Sequence, residues 1–420
     1  MGFTPHGPRG SSSGPSSFTL PPGWAALFSP DGVDRLAAVE EQLAAGASAF
    51  ELGARLRARG TAPDEAAALL GQAELRRKAR LKFGELAQHL LFTPAGLEQA
   101  TRAPVAHSHA QRFAAAGCRT VADLGCGIGA ESIALLAAGV SVQPVEIDPL
   151  TALVAEHNLA AAGTLLGVSV PSVTRADAQE VALEGAEGMF LDPARRTAGH
   201  RDTRRLTSPD DYSPSLRFAF GLAERLPTGI KLGPGFDRTL IPEHAEAQWV
   251  SVDGQVVETG LWFGAVARPA LRRSALVISA ESSAELSAEA DTPDAEVRPI
   301  GSYLYEPDGA VIRARLIGKL AAQLSAGMLS ENIAYLTSDT LTATPFASAF
   351  RVLEELPVHE KQLRRALAER QIGTLEIKKR GADVDPAALR TRLKLRGPRR
   401  ATLILTRAQG RHVALLAERC

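Results

Sequence analysis

Between a short apolar run at 120–124 and a helical stretch at 132–138 lies Asp123-Leu124-Gly125-Cys126-Gly127-Ile128-Gly129-Ala130. Glycine at every second position lets the backbone turn sharply through conformations that other residues avoid, so a strand can pass directly into a helix. Strand-turn-helix is the opening unit of a parallel sheet with helices on its faces. The pattern continues downstream: short apolar segments at 141–146, 168–174, 188–191 and 228–232 alternate with helical stretches. Two further strands are expected at 247–253 and 259–267, joined near Asp253-Gly254, and so short a connection makes that pair antiparallel. The expectation is an α/β protein with seven strands in its main sheet.

A chain of 420 residues exceeds one compact core, and 45% hydrophobic with 22% charged residues is the balance of a globular chain. Composition then suggests its parts. Residues 1–18 are Gly, Ser and Pro with little to bury and read as a disordered arm, whereas 19–117 are Ala, Leu, Glu and Arg at helical spacing, as in Val33, Leu36, Val39 and Leu43. Thr93-Pro94 marks a helix start. The sheet domain is expected over 118–278, a linker over 279–298, within which 281–296 hold six acids and no base, and a basic α/β domain over 299–420. In that last part Pro307-Asp308-Gly309 reads as a turn between two strands, and Gln409-Gly410 as a hairpin turn. The formal net charge is zero, yet residues 361–420 hold sixteen Lys and Arg against five Asp and Glu. Charge is thus sorted along the chain, and the basic end permits nucleic-acid contact.

Cys118, Cys126 and Cys420 make neither a disulfide framework nor a zinc set, and His107 and His109 stand too close in sequence to share a helix face as ligands. No metal is expected. With no signal-like or membrane-spanning apolar run, the expected location is the cytoplasm and no membrane partner is foreseen.

The glycine spacing alone also fits the dinucleotide fingerprint of Rossmann-like folds, so the acids beside it carry the argument. Asp123 directly precedes the turn, where its charge would oppose a pyrophosphate. S-adenosyl-L-methionine instead brings a sulfonium and an ammonium, and Asp123 can accept from the latter. Glu146, at the end of the second strand, can accept both ribose hydroxyls, with Asp148 as the other candidate. Asp177, after the third strand, is placed to accept from the adenine amino group. Gly125, Gly127 and Gly129 would form the cradle.

On Asp123 to Gly129 the chain resembles class I S-adenosylmethionine-dependent methyltransferases. More closely, it is similar to those with a C-terminal THUMP-like domain, through Leu90-Leu91-Phe92-Thr93-Pro94-Ala95-Gly96-Leu97, Leu191-Asp192-Pro193-Ala194-Arg195-Arg196 and Tyr303-Leu304-Tyr305-Glu306-Pro307-Asp308-Gly309. Asp192-Pro193 stands where amino methyltransferases carry Asp-Pro-Pro-Tyr, whose acid accepts from the target amine. By that resemblance Asp192 would orient the acceptor, with Pro193 and Arg195 completing the catalytic turn. Ala194 and Arg195 replace the second proline and the aromatic residue, so Arg195 would stack through its planar guanidinium or hold a phosphate. Arg195, Arg196, His200, Arg201, Arg204 and Arg205 crowd the same loop, and Arg196, Arg201 and Lys231 are the expected substrate contacts. The THUMP-like part implies RNA contact, which makes a transfer-RNA or ribosomal-RNA base the expected acceptor. A small-molecule methyltransferase, a non-catalytic RNA-binding module and a nicotinamide-dependent oxidoreductase stay open at this point.

Overall fold

A computed structural model of the chain describes residues 18–195 and 212–420. Arg196 and Arg201, with the remainder of their loop, lie outside the described residues. The chain divides into two compact units, Met1–Ala186 and Glu187–Cys420. That division falls inside the stretch 118–278 expected as one domain, because composition marks changes of residue usage while compactness follows packing.

In the first unit, helices α1 (Trp24–Leu27), α2 (Pro30–Ala44), α3 (Ala49–Ala58), α4 (Pro63–Phe83), α5 (Pro94–Gln99) and α6 (Ala103–Ala115) lead into β1 (Thr120–Leu124), α7 (Ala130–Ala137), β2 (Ser141–Glu146), α8 (Pro149–Leu166) and β3 (Thr174–Arg175). Ser29, Ser48 and Thr93 are N-caps that accept from the N–H groups of Gly32, Glu51 and Gly96, and a proline opens α2 and α5. Leu36 and Val39 are buried as the spacing predicts, but Val33 stays 38% exposed. β1, β2 and β3 run parallel in that order. The third strand is far shorter than the expected 168–174: Gly167 ends α8 in the left-handed region, and Val170 packs onto Gly163 of that helix.

The second unit contains β4 (Gly188–Leu191), the small β5 (Ala194–Arg195) and β6 (Tyr212–Ser213) pair, α9 (Leu216–Ala223), β7 (Thr228–Leu232), β8 (Glu246–Val252), β9 (Gln255–Phe263), β10 (Arg273–Ile278) and β11 (Ser283–Ala288). Its strands lie in the order β4-β7-β9-β8-β10-β11. β4 and β7 are parallel, β9 is antiparallel to β7 and to β8, and β8 and β10 are parallel. β10 and β11 thus add two strands to the seven expected. β11 occupies what reads as a linker: only Leu286 of this edge strand is buried, and its exposed polar residues look like loop in sequence. Glu246, fully buried, receives Arg268 at 2.5 Å and Ser274 at 3.2 Å, and Arg268 also holds Glu285, so one ion cluster ties β8, β10 and β11 together.

A separate seven-stranded sheet follows, built from β12 (Tyr303–Pro307), β13 (Gly327–Ser330), β14 (Ile333–Ser338), β15 (Ala347–Leu356), β16 (Ile372–Lys379), β17 (Arg399–Ala408) and β18 (Arg411–Arg419), with α10 (Gly309–Arg313), α11 (Ile317–Leu324), α12 (Glu360–Glu369) and α13 (Pro386–Leu393). Alternation along β17 sends Leu403 and Leu405 to a core shared with α12 and α13, and Ile404 to a second core around Tyr335 and Phe350. Pro307-Asp308-Gly309 leads into helix α10 rather than a second strand, because the Asp308 side chain caps the N–H of Ala310. Gln409-Gly410, both at positive φ, makes the expected hairpin between β17 and β18.

Candidate cofactor and acceptor sites

β1 delivers Asp123 and the glycine turn at its carboxyl end. Gly125, Gly127 and Gly129 have φ of 83°, 56° and 89°, all in the region where a side chain is strained. Their roles separate in space. A Cβ on Gly125 or Gly127 would meet no atom within 4 Å, so both present bare backbone to an open cradle, whereas one on Gly129 would touch Leu159 of α8 at 3.7 Å. Gly129 therefore serves helix packing and caps α7.

Two carboxylates enclose this turn. Asp123 is buried and receives Ser132 Oγ–H at 2.6 Å. Glu146, also buried, accepts the Gly127 N–H at 3.0 Å and the Asp148 N–H at 2.9 Å, one on each oxygen. Each carboxylate oxygen has a second lone pair, so Glu146 can still accept a hydroxyl while it holds the turn. Their common sign is felt between them: burial, then the charges of Asp123 and Glu146, hold the Cys126 thiol well above its ordinary value. Two carboxylates beside the turn oppose a pyrophosphate and favour a cationic ligand. The cradle and donor set accordingly fit S-adenosylmethionine.

The other expected cofactor residues have local duties. Asp148 caps α8, its Oδ1 accepting from the Thr151 N–H at 2.8 Å and hydroxyl at 2.6 Å. Asp177 Oδ1 accepts the Gln179 N–H at 2.9 Å in the loop after β3. Sequence reasoning missed Ile147, which lies between Glu146 and Asp148 and is 63% exposed. The available signal was an apolar residue between two acids at a strand end. It also missed the clamp beneath the turn. Asn158, fully buried, bonds both backbone groups of Leu91 and the Ile128 carbonyl at 2.7–3.0 Å, and Gln72 bonds both backbone groups of Phe92. The Leu90 to Phe92 stretch is thereby registered against the cofactor turn.

In the second unit Asp192 follows β4, and Lys231 of the adjacent β7 forms an ion pair with it. The Lys231 side chain is 14% exposed and that of Asp192 35%. Sequence reasoning named both residues but not their pairing. Pro193 is buried, and Ala194–Arg195 forms β5 with Arg195 opposite Tyr212 of β6. The aromatic residue absent from position 195 thus has a neighbour in register. Tyr212, however, is 3% exposed and packs edge-on against Phe236 at 6.4 Å, turned into the protein and not open for stacking.

An uncharacterized S-adenosylmethionine-dependent methyltransferase of Mycobacterium tuberculosis is 36% identical over 352 residues, covering 82% of this chain and 93% of the relative, in both strain CDC 1551 / Oshkosh and strain ATCC 25618 / H37Rv. The chain belongs to the S-adenosylmethionine-dependent methyltransferases. Its cofactor is S-adenosylmethionine, and the nicotinamide alternative is set aside. The methyltransferase has the fold of a Porphyromonas gingivalis W83 protein assigned as a methyltransferase, with a TM-score of 0.74 at 22% identity over 94% of this chain and 99% of that one. Residues 347–419 match the THUMP domain-like family, and residues 22–79 match a domain of unknown function, DUF8688. Among the described residues no helix is long and apolar enough to cross a membrane, and no group of three His, Cys, Asp or Glu is placed to hold a metal.

Proposed function

We propose that the methyltransferase acts on a base of RNA, with Asp192 orienting the acceptor. The observation that carries this reading is the surplus of cations on the C-terminal domain. Lys394, Arg396, Arg399 and Arg400 are exposed around the end of α13 and the start of β17, with no carboxylate within 4.0 Å among the described residues. Other cations of this domain are neutralised locally: Arg370 by Glu354, Arg392 by Glu360 and Arg411 by Glu355. An unneutralised cluster beside neutralised ones is what a phosphate backbone needs, since nucleic-acid affinity comes largely from neutralised phosphates. The THUMP domain-like match over the same residues supports the reading.

S-adenosylmethionine supplies a methyl already activated on sulfonium. Gly125 and Gly127 bring backbone against it, Asp123 takes its ammonium, and Glu146 takes the ribose hydroxyls. Ile147 offers the apolar face on which adenine packs, and Asp177 or Asp148 accepts from the rim. Asp192, paired with Lys231, works by accepting an N–H and aiming the lone pair of the acceptor nitrogen, a contribution of position more than of basicity. Pro193 stiffens the turn, and Arg195, Arg196 and Arg201 meet phosphate or base.

Transfer of tritium from methyl-labelled cofactor to total RNA tests the reading, with Asp192→Ala as control. Label in RNA that is lost in the variant supports it. A wild type that retains RNA but never labels it makes the chain a binding module, and label found only in small molecules makes it a small-molecule enzyme.

A further inference from the structure

The stretch Glu306-Pro307-Asp308-Gly309 has no part in the methyl-transfer sites, yet three of its four residues are committed. Glu306 receives Lys378 at 2.6 Å, Asp308 caps α10, and a Cβ on Gly309 would lie 2.5 Å from Val256 of β9. That contact presses the start of α10 onto the sheet that carries Asp192 and Lys231. Beside it opens a cleft of about 680 Å³, floored by the Asp253-Gly254 turn on one side and by strands of the C-terminal sheet on the other. Ligand pockets fall in about the 300–1,000 Å³ range.

Three cations line this cleft, and each lies over a buried ring. Lys378 and Arg419 stand 5.6 and 5.0 Å from the Phe350 centroid, and Arg380 stands 5.3 Å from that of Tyr335. Lys378 is held by Glu306, and Arg419 lies 3.5 Å from Glu376 and donates to Ser348 Oγ at 3.2 Å. Arg380 has no carboxylate within 4.0 Å among the described residues. Aromatic faces hold these cations in place at small entropic cost. Asp253 and Glu306 face the same space, so the lining offers donors for an anion and acceptors for hydroxyl or amino groups. A nucleotide carries that combination; a bare anion does not.

Topology relates the cleft to the acceptor site. Leu232 at the carboxyl end of β7 pairs with Thr259, and Val252 pairs with Gln255, so the Asp253-Gly254 turn projects from the sheet edge that carries Asp192. Strand spacing and rise put the two on the order of 20 Å apart. We infer that this cleft holds a nucleotide of an RNA strand several nucleotides from the methylated base, with Arg380 and Arg419 on its phosphate and Glu306 or Asp253 on its sugar or base. The inference rests on the RNA reading above and names a second contact for the same substrate. Binding energy collected there steadies the reacting end.

The test uses the full chain, a fluorescein-labelled single-stranded RNA of about 15 nucleotides, long enough to span the separation, and adenosine monophosphate. Arg380→Gln/Arg419→Gln should bind the RNA about tenfold more weakly, with the slope of log affinity against log salt reduced by about 0.7, the worth of the one phosphate they share. Arg380→Lys should recover part of the loss, and cofactor affinity and melting temperature should stay at wild-type values. A double variant that binds RNA as the wild type does overturns the cleft and leaves the RNA reading standing. A wild type that binds adenosine monophosphate in the cleft but no RNA overturns the strand occupant and the RNA reading together, and one that binds neither overturns both.

Discussion

Replacing Asp192 by Ala removes the carboxylate that Lys231 answers and, with it, every side-chain oxygen that could accept from the acceptor nitrogen. The acceptor then loses its fixed bond while the cofactor cradle is untouched. We expect kcat to fall about 100-fold or more with the cofactor KM nearly unchanged, read by single-turnover methyl transfer; a loss confined to KM would make Asp192 a mere binding contact. Gly127→Ala tests the cradle. At φ 56°, with open space where the Cβ would go, the variant meets no clash. The backbone cost is about 1 kcal/mol, so a few degrees of Tm should accompany a cofactor affinity weakened about tenfold or more, measured by calorimetry. Both residues were legible in the sequence, because a bare turn after an acid and an acid after a strand are local patterns. Ser132 as the partner of Asp123 and Lys231 as the partner of Asp192 were not, since each pairing depends on how separate elements meet.

Among elements, the stretch between α4 and α5 is held by side chains and not by a ladder. Asn158→Leu would leave the Leu91 N–H and the carbonyls of Leu91 and Ile128 without that partner inside the core. Each orphaned group costs about 1–3 kcal/mol. The variant should unfold at clearly lower denaturant, and its cofactor affinity should fall further than its stability predicts, because Ile128 belongs to the glycine turn; equal effects on both would make Asn158 purely structural. The α1–α8 side of the fold also carries a titration. Burial, then the charge of Arg76, hold the His157 imidazole below its ordinary value, and its ring meets Phe28 edge-on at 6.0 Å. The unfolded chain therefore takes up this proton first as pH falls, so the stability His157 contributes is complete above about pH 6.5 and is lost progressively below it. Melting temperatures from pH 7.5 to 5 should drop more steeply for the wild type than for His157→Gln, and parallel curves would refute the assignment. Elements with strong periodicity or caps, such as β1, β2 and α5, were legible as sequence. β11 and α10 were not: the first is an edge strand with one buried residue, and the second begins on a cap that reads equally well as a turn.

For the whole molecule, a net charge of zero conceals a division of labour. The cofactor turn sits in a negative environment set by Asp123 and Glu146, and the unneutralised cations gather at the end of α13 and the start of β17. Opposite potentials suit the two ligands proposed, a cationic cofactor and a polyanionic substrate. Neutralising Lys394, Arg396, Arg399 and Arg400 together should weaken RNA binding and reduce its salt slope by about 3, at roughly 0.7 per phosphate contact on a single strand. KM for RNA should rise while cofactor affinity and the single-turnover rate at saturating RNA stay unchanged, because none of the four touches the reacting groups. Filter binding across a salt series, paired with methyl-transfer kinetics, reads both effects. If the quadruple variant binds RNA with an unaltered slope, this surface is only solvated charge; if kcat falls with KM unchanged, the cations act on the chemistry, and the division between catalytic sheet and RNA-holding domain is wrong.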